Sequence, residues 1–194
     1  MHTPSITAMR LFRAASPVLL VLTLGCTTGR IPNTEVADTS ENRALVSFCE
    51  RYRRAVETRD ARSLLAMASP DYYEDAGTPR GDDDYGYDGL QRMLTAWADE
   101  VGEVRYEIRY RRVTVDPERP NRIAIDYTFT GSYTLRRPAG NEVAPRGGGL
   151  SFNVDPVRDS ATREGQDDIW FRRVGDNRLE LERVGDDFRI VSGM

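Results

Sequence analysis

The side chains able to do chemistry in this chain of 194 residues are mainly acids and tyrosines. His2 is the single histidine, it lies in a segment that we expect to be removed, and no lysine occurs. A serine or cysteine nucleophile would therefore have no histidine to activate it, and a Schiff base would have no lysine amine. Proton transfer would fall to Asp, Glu, Tyr or Cys, and an acid needs burial to raise its pKa towards neutrality.

One acid lies at the centre of a segment in which apolar and polar residues alternate, residues 123–135. Alternation of this kind is typical of a half-buried antiparallel strand. Asp126 lies on the parity opposite to the neighbouring aromatic residues, which predicts that it faces solvent and pairs with an arginine on a neighbouring strand. A catalytic base at this position is the alternative.

A set of aromatic residues shares the apolar parity of the predicted strands or faces those strands from the predicted helices. Such a set can line a ligand pocket, although buried aromatic residues more often form core with their hydroxyls near its rim. The pocket candidates are Tyr52, Trp97, Tyr106, Tyr110, Tyr127, Phe129 and Tyr133.

Acids are concentrated in the Gly-rich segment 71–87, where several carboxylates could hold a hard cation such as calcium. The spacing does not match an EF-hand loop, so we favour a solvated acidic loop over a calcium site. With no histidine and with Cys49 on an apolar helix stripe, zinc is excluded. No glycine-rich turn for a phosphate leads into a helix, and we expect no cofactor. The calcium-type candidates are Asp75, Asp82, Asp83, Asp84 and Asp88.

The N-terminal residues 1–25 contain Arg10 and Arg13, no acid, and an apolar run too short to span a membrane, which indicates a secretory signal peptide. The run ends at Cys26, and residues 24–26 resemble the lipobox of bacterial lipoproteins, in which this cysteine is lipidated. The resemblance implies a protein anchored in the cell envelope, facing the periplasm from the outer membrane since Thr27 is not an acid. An unmodified thiol and a short membrane anchor are the alternatives.

Removal of residues 1–25 leaves 25 basic and 31 acidic residues, a net charge of −6. This balance argues against nucleic acid as a partner, because phosphate binding needs a positive excess. No intrachain disulfide is expected, since Cys49 is the only thiol besides Cys26. Residues 26–39 are polar and show no periodicity, which predicts a flexible tether.

Three helices are predicted after the tether. Residues 38–41 can cap the first, whose apolar stripe runs from Leu45 to Val56 and includes Cys49 as a core residue. Asp60 can cap a second, shorter helix, and residues 88–91 can cap a third that ends at Gly102.

Strands are predicted in the rest of the chain. The first changes its apolar parity at Arg111, which predicts a β-bulge, and the second is residues 123–135. Residues 136–166 form a predicted long loop with a short strand at 150–154. Three short strands follow at 169–174, 179–184 and 188–191, with turns at 175–177 and 185–187.

Helices followed by a strongly curved antiparallel sheet predict an α+β domain, residues 40–194. The first helix, the helix-to-strand passage 64–72, the third helix from Gly89 and the ending 185–191 resemble the nuclear transport factor 2-like superfamily. That superfamily has a cone-shaped domain and includes polyketide cyclases, scytalone dehydratase and ketosteroid isomerase. The resemblance implies a cone built by three helices packed on the sheet, with 136–166 as an insertion.

Enzymes of this superfamily often use a histidine with an acid inside the cone, and the mature chain has no histidine. We therefore favour a non-catalytic, membrane-tethered cone domain that binds a small apolar ligand or a protein partner. A dehydratase, isomerase or cyclase that uses a buried carboxylate and a tyrosine is the first alternative. A dimerising structural module, working as a homodimer, is the second, because sheet faces in this superfamily commonly pair.

Overall fold

The computed structural model describes residues 29–75, 81–136 and 170–194. The predicted signal peptide, Cys26, nearly all of the 136–166 loop and the start of the strand predicted at Ile169 lie outside these residues. The described elements are α1 (Ser40–Glu57), α2 (Ala61–Met67), β1 (Tyr73–Glu74), β2 (Tyr85–Gly86), α3 (Tyr87–Glu100), β3 (Val101–Val115), β4 (Arg122–Leu135), β5 (Trp170–Val184) and β6 (Asp187–Ser192).

Helix α1 begins where the sequence predicted. The Thr39 hydroxyl accepts a hydrogen bond from the backbone N–H of Asn42, at 3.1 Å, and so satisfies one of the free donors of the first turn. One face of the helix is buried, because apolar residues recur at helical spacing. The buried residues of that face are Leu45, Phe48, Cys49, Tyr52, Ala55 and Val56.

Helices α2 and α3 start differently. Asp60 caps α2 as predicted, since its carboxylate accepts from the backbone N–H of Ser63 at 2.9 Å. Helix α3 begins at Tyr87, before the predicted cap, and no side chain caps it. Asp88 lies in its first turn instead, where an acid is stabilised by the positive end of the helix dipole. Val101 already belongs to β3.

The main sheet has the antiparallel order β3-β4-β5-β6, and a small sheet pairs β1 with β2. The pairing of β3 with β4 shifts register between Tyr110 and Arg112, which confirms the bulge predicted there. The face of the sheet that carries Ile125, Tyr127 and Phe129 is called the inner face below. Helices and a curved antiparallel sheet form the predicted α+β domain.

Strand β5 corrects one prediction. Residues 175–177 were expected to form a turn, but β5 runs unbroken through them and pairs with β4 from Trp170 to Glu182. The reason is tertiary: the Phe129 ring lies against Gly175, and both residues that follow find partners on β4. The turn predicted at 185–187 is present between β5 and β6, with Gly185 at a φ of 62°.

Residues 29–39 also depart from the prediction, because they do not form a flexible tether. Arg30 and Ala37 make a two-residue bridge, and Val36 is 2% exposed in the core. The backbone N–H of Glu35 donates to the carbonyl oxygen of Tyr110 at 2.9 Å. This docked turn belongs to the domain, since a buried valine and backbone hydrogen bonds hold it there.

The core lies between the helices and the inner face of the sheet. It contains aliphatic residues from α1, α2 and α3 packed on Ile123, Ile125, Leu179 and Leu181, together with the aromatic residues treated below. Phe48 and Phe188 meet edge to face, with ring centroids 5.8 Å apart. Within the described residues, no helix has the length and apolar character needed to cross a membrane.

Candidate functional site

The aromatic residues predicted to line a pocket lie mostly inside the core. Six of the seven are 9% exposed or less, and Tyr133 is half-buried. The six are Tyr52, Trp97, Tyr106, Tyr110, Tyr127 and Phe129. These six rings therefore pack within the core, and Tyr133 is the candidate with the larger exposed fraction.

Three buried phenols meet in the middle of this core. The side chains of Tyr52, Tyr106 and Tyr127 hydrogen-bond to one another. Burial raises the pKa of Tyr106 to about 12, and it raises the pKa values of Tyr52 and Tyr127 well above the usual value of 10.0. The phenol cluster is therefore neutral at ordinary pH and acts as donors and acceptors within the fold.

Asn177 extends the phenol cluster to the end of the chain. Its Nδ2 donates to the Tyr127 hydroxyl at 3.0 Å and to the carbonyl oxygen of Gly193 at 3.1 Å. Asn177 was not predicted as a site residue, because residues 175–177 have the composition of a turn. The alternation along the strand could have indicated it, since Asn177 lies on the same face of β5 as the buried Leu179 and Leu181.

Two acids lie beside buried tyrosines, and neither was predicted. The Tyr110 hydroxyl donates to Glu50 at 2.9 Å, while Arg53 Nε donates to the other Glu50 oxygen at 2.8 Å. The Tyr72 hydroxyl donates to Glu74 Oε2 at 2.8 Å, and the backbone N–H of Gly193 donates to the same oxygen at 2.6 Å. Both carboxylates are thus engaged by donors of the domain itself.

The end of the sheet where β4 finishes and β5 begins carries a group of rings and a cation on the inner face. Tyr133 and Phe171 are stacked with centroids 5.5 Å apart. The guanidinium carbon of Arg173 lies 5.9 Å from the centroid of the Phe129 ring. We call Phe129, Tyr133, Phe171 and Arg173 the aromatic shelf. Phe171 and Arg173 were not predicted, because the expected turn at 175–177 hid the continuous alternation of β5.

Arg173 is the unusual member of the aromatic shelf. Its Nη1 atom is buried and, among the described residues, has no hydrogen-bond partner. Its cross-strand neighbour is Gly131, and Gly175 follows it on the same face, so two positions around it carry no side chain. Arg173 Nη1 is therefore a buried donor for which no group of the described domain provides an acceptor.

Asp126 lies on the outer face of the sheet, as predicted. It accepts from Arg112 Nε at 2.9 Å and from Arg178 Nη1 at 3.3 Å, one arginine on each neighbouring strand. A surface groove of about 580 Å³ lies at the β3 bulge beside this pair. Because the Asp126 carboxylate already pairs with these two arginines, it is not positioned to act as a catalytic base.

The acidic segment does not form the calcium-type site among the described residues. No group of three or more acids, cysteines or histidines within residues 29–75, 81–136 and 170–194 could hold a metal ion. Asp84 accepts a hydrogen bond from the exposed Tyr73 hydroxyl, and Asp88 belongs to α3. The five acids Asp75, Asp82, Asp83, Asp84 and Asp88 are spread along a loop and a helix start instead.

Cys49 is buried and free, in the middle of α1. Burial raises the pKa of its thiol well above the usual value, so the reactive thiolate form is disfavoured. This confirms its interpretation as a core residue.

Comparison of sequences gave no relative: no family model matches the chain, and no curated protein does. Comparison of folds gave many similar solved structures. A candidate scytalone dehydratase from Novosphingobium aromaticivorans shares 9% identity, with 79% of this chain and 80% of that chain covered, at a TM-score of 0.53. A candidate dehydratase of the nuclear transport factor 2-like family from Streptomyces avermitilis shares 11% identity, with 79% and 93% covered and a TM-score of 0.52.

A candidate aromatic ring hydroxylase from Novosphingobium aromaticivorans is similar to the same extent, with 13% identity, 81% of this chain and 96% of that chain covered, and a TM-score of 0.51. At identities this low, the likeness concerns the fold and not the reaction. The coverage shows that the shared fold extends over most of both chains.

Proposed function

We propose, from the premise that this domain has the cone fold of nuclear transport factor 2-like proteins, that the chain is a binding protein of the bacterial cell envelope and not an enzyme. Its ligand is a small, largely apolar molecule that binds on the aromatic shelf. This fold hosts enzymes and binders alike, so the function must be argued from the site and not from the fold.

The observation that carries the proposal is the state of Arg173. A buried guanidinium donor without a partner costs free energy unless a ligand or another group accepts from it. The Phe129 ring lies against it, and its neighbours on the inner face, Gly131 and Gly175, carry no side chain. Apolar walls with one or two polar groups are the usual composition of a small-molecule site.

The acids of the described domain support binding over catalysis. A carboxylate that transfers a proton must lie within hydrogen-bond reach of the substrate. Glu50 and Glu74 instead face donors of the fold, and Asp126 faces solvent between two arginines. Among the described residues, no acid accepts from Arg173 Nη1.

Binding of the neutral, apolar fluorophore N-phenyl-1-naphthylamine tests the proposal. The mature chain with Cys26→Ser should raise the emission of this probe in a saturable way, with one site per chain. Replacement of Gly131 by Leu should abolish the increase, since its side chain would fill the space beside Arg173. Gly81→Leu, in an exposed loop, is the matched control. Absence of saturable binding by the unaltered domain, both of this probe and of the naphthalene ligands 2-naphthoate and 2-naphthamide, would reject the binding function.

The enzymatic alternative rests on one contact, the Tyr110–Glu50 hydrogen bond, and on two structural neighbours that are named as candidate dehydratases. Scytalone is the substrate named for one of them, so its loss of water is the reaction to assay. We expect no turnover. Turnover that Glu50→Gln abolishes, in a variant that still folds, would replace the binding proposal with this alternative.

Membrane attachment through Cys26 is part of the proposal and is supported by the signal-like residues 1–25. In a Gram-negative host, the wild-type protein should sediment with outer membranes, and Cys26→Ser should shift it to the soluble periplasmic fraction. The mass of the N-terminal peptide should show acyl chains on residue 26. A soluble wild-type protein whose first residue is unmodified would contradict the attachment.

A further inference from the structure

We infer that the ligand of the aromatic shelf is a ring-bearing organic anion, whose carboxylate or sulfonate group binds Arg173 while its ring packs on the shelf. This inference rests on the proposed function and names the chemical class of ligand for the same site.

The anion is required by the chemistry of the guanidinium. Arginine stays charged at any physiological pH and presents a planar set of donors that matches the two oxygens of a carboxylate. Arginines on the outer face of the sheet, such as Arg112 and Arg178, find their carboxylate in Asp126. The Arg173 guanidinium lies over the Phe129 ring. In the described ranges, no acid pairs with its Nη1 atom. Its Nη1 therefore lacks the oxygen acceptor that those arginines have.

The aromatic part of the ligand is inferred from the side chains next to the Arg173 guanidinium. Tyr133 and Phe171 are half-buried on the inner face, with the buried Phe129 ring behind Arg173. Aromatic pairs in offset or edge arrangements attract beyond the burial of their area. Gly131 and Gly175 leave the positions beside Arg173 without side chains, and the Tyr106 and Phe129 rings pack against them. A group that reaches Arg173 past Tyr133 and Phe171 would therefore lie against aromatic side chains, which favours a ring.

The competing explanation is structural, in which Arg173 merely covers Phe129 and stabilises β5. A cation over an aromatic ring does stabilise a fold. That role gives no preference between a charged and a neutral ligand of the same shape. A matched pair of ligands therefore separates the two explanations without any substitution in the protein.

The experiment uses 2-naphthoate and 2-naphthamide, which share one ring system and differ in the charge of a single group. Isothermal titration of the mature Cys26→Ser chain should give at least about tenfold tighter binding of the naphthoate, the factor expected for a hydrogen bond to a charged group. Arg173→Gln should remove that preference, and Arg173→Lys should keep part of it. Arg172→Gln, on the exposed face of the same strand, should leave the preference unchanged.

The possible results separate the anionic nature of the ligand from the proposed binding function on which it rests. Equal affinity for the two ligands in the unaltered protein would overturn the anion while leaving the binding function in place. No binding of either ligand or of the neutral fluorophore would reject both. Should Arg173→Gln fail to fold, the wild-type pair of affinities and the lysine variant still decide the question.

Discussion

Asn177 shows at the scale of one residue how this fold uses a polar side chain. Its amide joins the Tyr127 hydroxyl to the carbonyl of Gly193, so that one donor group serves both the core and the end of the chain. Buried polar groups stabilise a fold when they are satisfied and destabilise it when one partner is lost. The effect of removing Asn177 should therefore exceed that of removing a surface polar group.

Asn177→Leu should lower the free energy of unfolding by about 1–3 kcal/mol, because the buried Tyr127 hydroxyl and the half-buried Gly193 carbonyl lose their donor. Urea denaturation followed by tryptophan fluorescence measures the change. Glu180→Gln is the control, since Glu180 lies on the exposed face of the same strand and its pair with Arg178 at 3.5 Å is a surface contact. Equal stability of the two variants would show that the amide contributes nothing to the core.

The phenol cluster predicts how stability depends on high pH. Burial raises the pKa of Tyr106 to about 12, so above pH 10 the folded chain keeps a proton that the unfolded chain releases. Stability is therefore complete below the tyrosine pKa of the unfolded chain and falls as the pH rises from there through the folded value. Denaturation between pH 8 and pH 11.5 should show this fall.

Tyr106→Phe should reduce the steepness of that fall, because one phenol with a raised pKa is removed. Tyr87→Phe, at the start of α3 and outside the cluster, is the matched substitution. A fall of identical slope in wild type and Tyr106→Phe would contradict the assignment to the cluster.

Single residues were predictable where alternation was intact. The buried parity of β4 and the apolar stripe of α1 were both read correctly, including Cys49, because the periods of a strand and a helix are local properties. Arg173 was not predicted as a site residue. A charged side chain on an inner face violates the rule that a pattern-based prediction uses, and only the packing of β5 on β4 shows it.

Strand β5 shows, at the scale of one element, that strand pairing can outweigh a local turn preference. Glycine, aspartate and asparagine in sequence are typical of a turn. Here the pairing of β5 with β4 outweighs that local preference, because Asp176 accepts from Thr128 at 2.6 Å and Asn177 is satisfied inside the core. Turn propensity is a local signal, whereas the partner residues on β4 are distant in sequence.

The cap of α2 gives a prediction at this scale. Asp60→Ala should cost about 1 kcal/mol of stability at pH 7, since an unpaired backbone donor is left in the first turn. Hydrogen bonds from Ser63 lower the pKa of Asp60, so this contribution is present above the ordinary carboxyl pKa and is lost as the pH falls through the folded value.

Thermal unfolding at pH 7 and at pH 3 measures both effects. Asp60→Asn keeps a capping oxygen and removes the charge, so this variant should show less of the acid-dependent loss. A loss for Asp60→Ala that is independent of pH would mean that the carboxylate charge has no part in the cap.

Two glycines with positive φ offer a matched pair at the ends of β6. A Cβ at Gly193 would lie 1.9 Å from the carbonyl oxygen of Arg178, whereas a Cβ at Gly185 would meet nothing within 4 Å. Gly185→Ala should lower the free energy of unfolding by about 1–2 kcal/mol, because alanine is strained in a left-handed conformation. Gly193→Ala should cost about 3 kcal/mol, because the backbone must also move. Urea denaturation compares them, and equal losses would show that the last residues are not docked.

The whole molecule protects both edges of its main sheet. On β3, Arg53 donates to the carbonyl of Tyr106 at 3.2 Å and Glu35 donates to Tyr110. On β6, the backbone N–H of Ser69 donates to Ile190 at 2.7 Å. Covered edges reduce the tendency of a sheet to pair with another chain. The outer face of the sheet is left open, and there Val174 is exposed among charged residues.

The three helices, strands β3 and β4 and the turn before β6 were predictable, because periodicity in a long segment is a clear signal. The short β1–β2 pair and the unbroken β5 were not. The docked turn at 29–39 was not, since one buried valine in a polar segment carries little periodic signal. Lipidation of Cys26 stays a prediction from the sequence.

Val36→Ala should lower the free energy of unfolding by about 2 kcal/mol, because two buried methyl groups are lost and a cavity is left. Val174→Ala, at a valine that is 60% exposed, should change it by little. Chemical denaturation of both variants measures the difference. Equal effects would mean that residues 29–39 lie on the domain without stabilising it.

The docked turn brings the folded body close to the proposed acyl group. From residue 26 to residue 29 the chain can extend by at most about 10 Å. An acylated protein would therefore be held next to the membrane surface, with the docked turn as the part of the domain nearest to the lipid. Lengthening this link should then matter more to function than changing its amino-acid composition.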